Sequence, residues 1–282
     1  MSRSEPVRVV VFSVIVAGYD RPMPILCREP GIAYCLVSDT PFPGSGWDHR
    51  PIPEAAGMLD PVAMSRWCKF FAHLIFPEYD MSVYIDGNLA IVGPIGALVA
   101  EFDRSGAAMG LFSHGRKTVD AEVKACTHHR KFTRRDMAVL EAQVERYRVD
   151  GILMQEALTD NGILFRNHRA SGLDGAMRMW WREFANGVRR DQISLPYIRK
   201  ITRLDCVVWP WNYRADRRRF AGPFPHYGRI APRRLSAPRY DLMIRGRIGR
   251  QILRRRVAQL RHFLRRPLHQ DRTAPLPRKS GL

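Results

Sequence analysis

Residues 7–16 form an apolar run with one charge, Arg8, and the run stops at Gly18. Such a run predicts a strand buried on both faces of a parallel sheet. Residues 32–37 repeat the pattern and deliver Ser38-Asp39, as the first run delivers Gly18-Tyr19-Asp20. Residues 40–60 are rich in Pro and Gly and read as loop. Asp60-Pro61 then opens a helix, with Asp as N-cap and Pro at the first helical position. Met64, Trp67, Phe71 and Leu74 share one face of it, and Arg66 and Lys69 are neighbours on one side. Pro77 ends that helix. Residues 81–92 follow as a buried strand, an Asp86-Gly87-Asn88 turn and a second apolar strand.

Further along, residues 107–112 predict a strand ending at Ser113-His114-Gly115-Arg116. Residues 119–126 and 135–147 predict helices, the second with Met137, Leu140, Val144 and Tyr147 on one face. Residues 162–165 predict a short strand before Arg166-Asn167-His168. Residues 176–184 form a helix carrying Trp180-Trp181, and another helix starts around Asp191. Residues 207–211 are apolar and end at Asn212, and residues 223–229 are loop. Strands alternating with helices predict an α/β sandwich around a mostly parallel sheet, occupying residues 1–228. Residues 229–282 form a basic tail. From Arg239 the tail reads as an amphipathic helix, with Ile248, Ile252, Val257, Leu260 and Leu264 as its stripe and Arg250, Arg254, Arg255, Arg261 and Arg265 around them.

Charge sharpens the division. The chain has 282 residues and a net charge of +19. Residues 239–282 hold 13 Arg and Lys against 2 Asp, so the tail carries +11 and the rest +8. A basic tail on a moderately basic body predicts an acidic partner, either an anionic membrane surface or nucleic acid. No recognised nucleic-acid motif is present, so no specific nucleic acid is expected. The pattern of the tail is that of a helix lying on anionic lipid; the same pattern also fits a helix packed on the body with a solvated basic face. No apolar window is long enough to span a bilayer, and the first apolar run lacks a signal-peptide cleavage site. The five cysteines are scattered without a Cys-x-x-Cys pair, which argues against zinc and disulfide frameworks and for a reducing cytoplasm, with peripheral attachment at the inner membrane.

Asp86 and Asn88 put two hard oxygen ligands one residue apart at a strand end, a set suited to Mn²⁺ or Mg²⁺ shared with phosphates. The same tripeptide fits an ordinary turn. Gly-x-Gly-x-x-Gly and Walker loops are absent, which leaves a metal to hold a diphosphate. A Gly-x-Ser-x-Gly or His-Glu-x-x-His element that would support hydrolysis is also missing.

The ordered elements Gly18-Tyr19-Asp20, Asp39, Arg66-x-x-Lys69, Phe76-Pro77-x-Tyr79, Ser82-x-Tyr84-Ile85-Asp86-Gly87-Asn88, His114, Glu122-x-x-Ala125, Arg166-x-His168, Trp180-Trp181-x-Glu183 and Arg190-Asp191-Gln192-x-Ser194 carry a resemblance over roughly residues 8–205. The chain resembles the glycosyltransferase-like domain of plant proteins of mucilage and pectin synthesis and their bacterial relatives. One plant member of that group is described as an alkaline ceramidase, which makes a lipid hydrolase an alternative function, beside a nucleic-acid-binding protein. More distantly the chain is similar to retaining GT-A galactosyltransferases of lipopolysaccharide synthesis, in which a Tyr-x-Asp-x-Asp strand end binds Mn²⁺, an Asp-Gln-Asp lies beside the anomeric carbon, and a late His followed by Gly completes the metal site. The resemblance implies a GT-A-like fold and transfer of a sugar from a nucleoside diphosphate donor to a glycan or glycolipid acceptor in bacterial surface polysaccharide synthesis. It implies Asp86, Asn88 and His226 at the metal and Asp191 and Gln192 at the reacting carbon. Tyr19, Asp39, Arg66 and Lys69 would meet the donor, and Trp181, His114 and His168 the acceptor. The chain departs from the pattern at Asn88, which replaces an acid, and at Ile193, which stands where a second acid would.

Overall fold

The computed structural model describes residues 7–264 apart from 129–131, 153 and 235. The described residues hold nine strands: β1 (Val9–Ile15), β2 (Ile32–Ser38), β3 (Asp48–Pro51), β4 (Met81–Ile85), β5 (Ala90–Ile91), β6 (Met109–Thr118), β7 (Ala157–Asn167), β8 (Cys206–Trp209) and β9 (Phe220–Ala221). Seven of them form one sheet in the order β3-β2-β1-β4-β7-β6-β8. Every pairing is parallel except the two made by β7. The other six strands therefore point one way, and their carboxyl ends share one edge with the start of β7. The expected α/β sandwich on a mostly parallel sheet is what the chain adopts.

The helices are α1 (Glu54–Gly57), α2 (Pro61–Phe70), α3 (Ala72–Ile75), α4 (Gly96–Ser105), α5 (Val119–His128), α6 (Arg134–Val149), α7 (Leu173–Asn186), α8 (Asp191–Thr202), α9 (Tyr227–Arg234) and α10 (Ala237–Leu264). The Asp60 cap is as predicted: its carboxylate accepts from the backbone N–H of Val62 at 3.1 Å and of Ala63 at 3.2 Å. One apolar layer joins Val10, Phe12 and Tyr84 of the sheet to α2, α7 and α8, and a second joins Val11, Val83 and Phe165 to α4.

Four local expectations change. Residues 48–51, read as loop, form an edge strand whose mainly exposed residues leave no apolar signal. The two apolar stretches of residues 81–92 do not pair as a hairpin; β5 leaves the main sheet and pairs with β9. β7 starts at Ala157, not at residue 162, because Thr159-Asp160-Asn161 is buried strand despite its turn-like composition. The tail helix does not present its whole apolar stripe to solvent. Tyr240, Ile244 and Ile248 are buried against Met23, Ala90, Ala221 and Phe224, with Ile252 partly covered. Val257 is 42% exposed, and the side chains of Leu260, Arg261, Leu264 and Arg265 lie outside the described residues. No helix among the described residues is long and apolar enough to cross a membrane.

Candidate active site

Most of the sequence-derived site residues meet at the carboxyl edge of the sheet. Met81–Ile85 is wholly buried and ends at Asp86. Residues 86–89 then turn tightly, the Leu89 N–H donating to the Asp86 carbonyl at 2.9 Å. Tyr84 donates its hydroxyl to Asp86 Oδ1 at 2.8 Å. Burial and the neighbouring Asp86 charge raise the Tyr84 phenol, so it stays protonated and able to donate. Helix α2 brings Lys69 into the same place. Its ammonium donates to Asp191 Oδ2 at 2.7 Å and stands 3.9 Å from Asp86 Oδ1, with only 3% of the side chain exposed. Arg66, one turn earlier, places Nε 3.7 Å from Asp191 Oδ1. That nitrogen is buried and makes no hydrogen bond.

Asp191 opens α8, where the helix dipole favours an anion. Burial alone would raise its carboxyl, but the charges of Lys69 and Arg66, the Lys69 hydrogen bond and Arg190 outweigh burial and hold it well below the usual carboxylate range. Its neighbour Gln192 is fixed from behind. Arg190 donates to Gln192 Oε1 at 3.0 Å and to Glu122 Oε1 at 2.5 Å. The Asp191 carbonyl accepts from Trp180 Nε1 at 3.2 Å, and Trp180 stacks on Phe70 with ring centroids 4.2 Å apart. Thus the motif Arg190-Asp191-Gln192 is clamped from α2, α5 and α7 at once.

The third cluster lies across the 86–89 turn. His226 Nδ1 donates to Asp20 Oδ2 at 2.7 Å; the carboxylate can only accept, so this nitrogen carries the proton. Nε2 sits 3.4 Å from Asn88 Nδ2, while Asn88 Nδ2 also donates to the Phe224 carbonyl at 2.9 Å. A carboxylate behind an imidazole is the arrangement that orients metal-binding histidines. Asp20 itself lies against Gly87, where a Cβ would come within 3.3 Å of its Oδ2. Among the described residues no three His, Cys, Asp or Glu side chains converge tightly enough to hold a metal ion. Asn88 turns its amide nitrogen, not its oxygen, towards His226 Nε2, so the amide would have to rotate for its oxygen to join Asp86 and His226 as a third donor. Carboxylate, amide oxygen and imidazole together fit a hard divalent ion that draws further ligands from a phosphate.

Tyr19 packs at a tilt against His226, with ring centroids 4.8 Å apart. It also lines a cavity of about 280 Å³ with Val16, Ala17, Pro61, Ser65 and Arg66. Asp39 does not reach that cavity; it accepts from the Ala17 N–H at 2.6 Å and so holds the turn after β1, where Ala17 adopts φ 54°. His114 lies within β6, within electrostatic reach of Asp160, and its Nδ1 is buried without a hydrogen-bond partner among the described residues.

Two of the residues assigned to the acceptor lie elsewhere. His168 follows β7 at the opposite end of the sheet, its ring nitrogens 2.9 Å from the Tyr79 carbonyl and 2.9 Å from Ser82 Oγ. Burial lowers it to about 4, so it is neutral and ties β7 to the start of β4. Trp181 packs among Phe70, Phe71 and Phe184 where α7 meets α2. Consecutive residues on a helix diverge by about 100°, so of the pair only Trp180 reaches the Asp191 turn. Sequence reasoning missed Asp160. It is buried and accepts from Tyr213 Oη at 2.9 Å and from Arg214 Nε at 2.7 Å. It also missed the roles of Asp20 and Arg190.

The profile of the TOD1/MUCI70, glycosyltransferase-like domain matches residues 58–219, more than half of the chain. The chain belongs to this family. The matched segment contains Arg66, Lys69, Asp86, Asn88, Asp160, Asp191 and Gln192; Tyr19, Asp20, Asp39 and His226 lie outside the match. No curated protein matches the sequence. Similar solved structures include mouse xyloside xylosyltransferase 1 in its apo form, with 14% identity, TM-score 0.44, and coverage of 72% of this chain and 85% of that chain. Core-mannan synthase A from Aspergillus fumigatus, in an Mn/GDP form, has 10% identity and TM-score 0.44 over 81% of this chain and 78% of that one. The bifunctional glycosyltransferase WbbM has 12% identity and TM-score 0.46 over 88% of this chain and 46% of that one.

Proposed function

We propose that this TOD1/MUCI70 domain transfers a sugar from a nucleoside diphosphate donor to a glycan or glycolipid acceptor, assisted by a divalent cation. The observation that carries the reading is the buried Lys69–Asp191–Arg66 cluster beside Asp86 at the carboxyl edge of the sheet, where open α/β sheets bind ligands. The cavity between β1 and α2 takes the nucleoside, with Tyr19 and Arg66 on its wall. Arg66 and Lys69 are fixed cations for the diphosphate, and Asp86, Asn88 and His226 would hold the metal. When bound, the ion would neutralise charge on the departing diphosphate.

The chain's own residues supply the rest. Asp191 is an anion at any working pH and faces the positive charge that develops on the sugar as the leaving group departs. Arg190 fixes the Gln192 amide beside it, so neither group has to reorganise during the reaction. Mn²⁺-dependent thermal stabilisation by a panel of nucleotide sugars tests this reading. One nucleotide should stabilise the wild-type protein and calorimetry should show its binding lost in Asp86→Ala, whose side chain is 38% exposed at a strand end and can be removed without collapsing the core. Unchanged nucleotide·Mn²⁺ binding in Asp86→Ala overturns the metal assignment; no nucleotide binding at all overturns the donor class.

A further inference from the structure

A second cavity, of about 340 Å³, lies between α10 and the loop that follows the Tyr213–Ala215 turn. Five arginines line it: Arg214, Arg217, Arg247, Arg250 and Arg254. Its lining contains no acidic residue and no lysine. Arg214 is bound to Asp160, whereas Arg217, Arg247, Arg250 and Arg254 make no ion pair among the described residues. Positions 247, 250 and 254 repeat at helical spacing, so α10 turns one face of like charges into the groove. The adjoining face, carrying Tyr240, Ile244 and Ile248, is packed on the body, so the arginine face cannot rotate away. Like charges held this close oppose one another, and a ligand anion removes that cost.

The groove is distinct from the nucleoside cavity, with which it shares no lining residue. Yet it abuts the catalytic edge. Phe224, in its wall, exchanges hydrogen bonds with Asn88, donating its N–H to the Asn88 carbonyl at 2.9 Å and accepting from Asn88 Nδ2 at 2.9 Å. Arg214 reaches Asp160, which also holds Tyr213.

We infer that this groove binds a phosphate or diphosphate ester. Guanidinium forks match phosphoryl oxygens two at a time, and the exclusive use of arginine favours that geometry over a diffuse field. Four guanidinium groups unpaired among the described residues call for a multiply charged ligand. In the glycosyl-transfer reading the ester belongs to the acceptor, whose sugar end would then reach the Asp191 edge; that part rests on the proposed function, whereas the phosphate site does not.

The test is calorimetry of inorganic pyrophosphate on the full chain in the presence of EDTA, which removes metal-dependent binding at the donor site. The triple variant Arg247→Gln/Arg250→Gln/Arg254→Gln should bind at least about 10-fold more weakly, since hydrogen bonds to charged groups contribute on that scale each. All three side chains are exposed, so its thermal midpoint should stay level or rise. The matching Arg→Lys triple keeps the charge and loses the forks, and it should be weakened several-fold. Sedimentation with phosphatidylcholine vesicles, with and without phosphatidic acid, separates the sources. Arginine-dependent capture on phosphatidic acid marks a lipid-borne ester; pyrophosphate binding without capture marks a soluble one. Equal pyrophosphate affinity in the Gln triple, undiminished affinity in the Lys triple, or loss of pyrophosphate in Asp86→Ala instead would each overturn the inference. Nucleotide-sugar binding with Mn²⁺ is scored separately, so failure of the donor reading leaves this result readable.

Discussion

Replacing Lys69 with Met separates an electrostatic role from a packing one. Methionine matches the length and apolar stem of the side chain and deletes only the ammonium. At 2.7 Å from Asp191, a unit charge contributes about 6 kcal/mol at an effective dielectric of ~20. Arg66, at 3.7 Å, remains and is worth about 4.5 kcal/mol on the same scale. The variant therefore does not strand Asp191 completely, and its loss belongs near the lower end of the 3–5 kcal/mol typical of breaking a buried pair, about 3 kcal/mol. Asp191 also supplies a pH signature. Its carboxyl is depressed in the folded wild type, so it contributes stability that is fully present above the ordinary carboxylate range near pH 4 and is lost as pH falls below that range. Without Lys69, burial pushes the carboxyl upward and that contribution shrinks. Urea unfolding at pH 7 and at pH 3.5 should show a less stable variant at neutral pH and a flatter fall towards acid. The double variant Lys69→Met/Asp191→Asn should recover most of the neutral-pH loss, because a neutral amide no longer needs the cation. A loss below about 1 kcal/mol at pH 7 with an unchanged acid slope would refute the coupling.

Asp191→Asn and Gln192→Ala should bind the donor normally yet turn over about 10²-fold more slowly, since a polar group that acts on the transition state lowers kcat and spares ground-state affinity. Paired binding and turnover measurements on the same preparation check this, and near wild-type turnover in Asp191→Asn would remove it from the chemistry. Gly162→Ala places a Cβ into the Tyr213 hydroxyl and 3.0 Å from Asp86 Oδ2. It should destabilise by about 1–3 kcal/mol, the scale of overpacking, and a calorimetric scan showing an unchanged midpoint would contradict the contact.

The parts of the site legible in the sequence are those written in local signals. A wholly apolar Met81–Ile85 running into Asp86-Gly87-Asn88 marks a strand end wherever it occurs, and Asp60-Pro61 marks the helix that presents Arg66 and Lys69. The convergence of Lys69 with Asp191 joins positions 122 apart; the resemblance, not periodicity, linked the two. Asp160 was hidden because Asp-Asn-Gly is turn chemistry, and only sheet pairing on both sides overrides it. His168 looked like a partner of His114 because both follow strands. The antiparallel direction of β7 sends one of them to the far end of the sheet, and strand direction is absent from a linear pattern. The tail was ambiguous for a different reason: an amphipathic stripe reports that a face is buried, not what buries it.

The reach of the contacts around His226 bears on how the protein comes into being on the ribosome. Asn88 meets His226 across 138 positions, and His226 meets Asp20 across 206. Tyr240 then secures the same segment by donating to the Pro225 carbonyl at 2.8 Å. The first strand can emerge, and even pair with its neighbours, long before the residues that close the Asp20 corner exist. Contacts of such sequence separation form late because the intervening chain must be ordered first. A growing chain therefore carries an open, unfinished edge for most of its synthesis, and it completes the Asp20–His226 corner only once α10 has left the exit tunnel and docked.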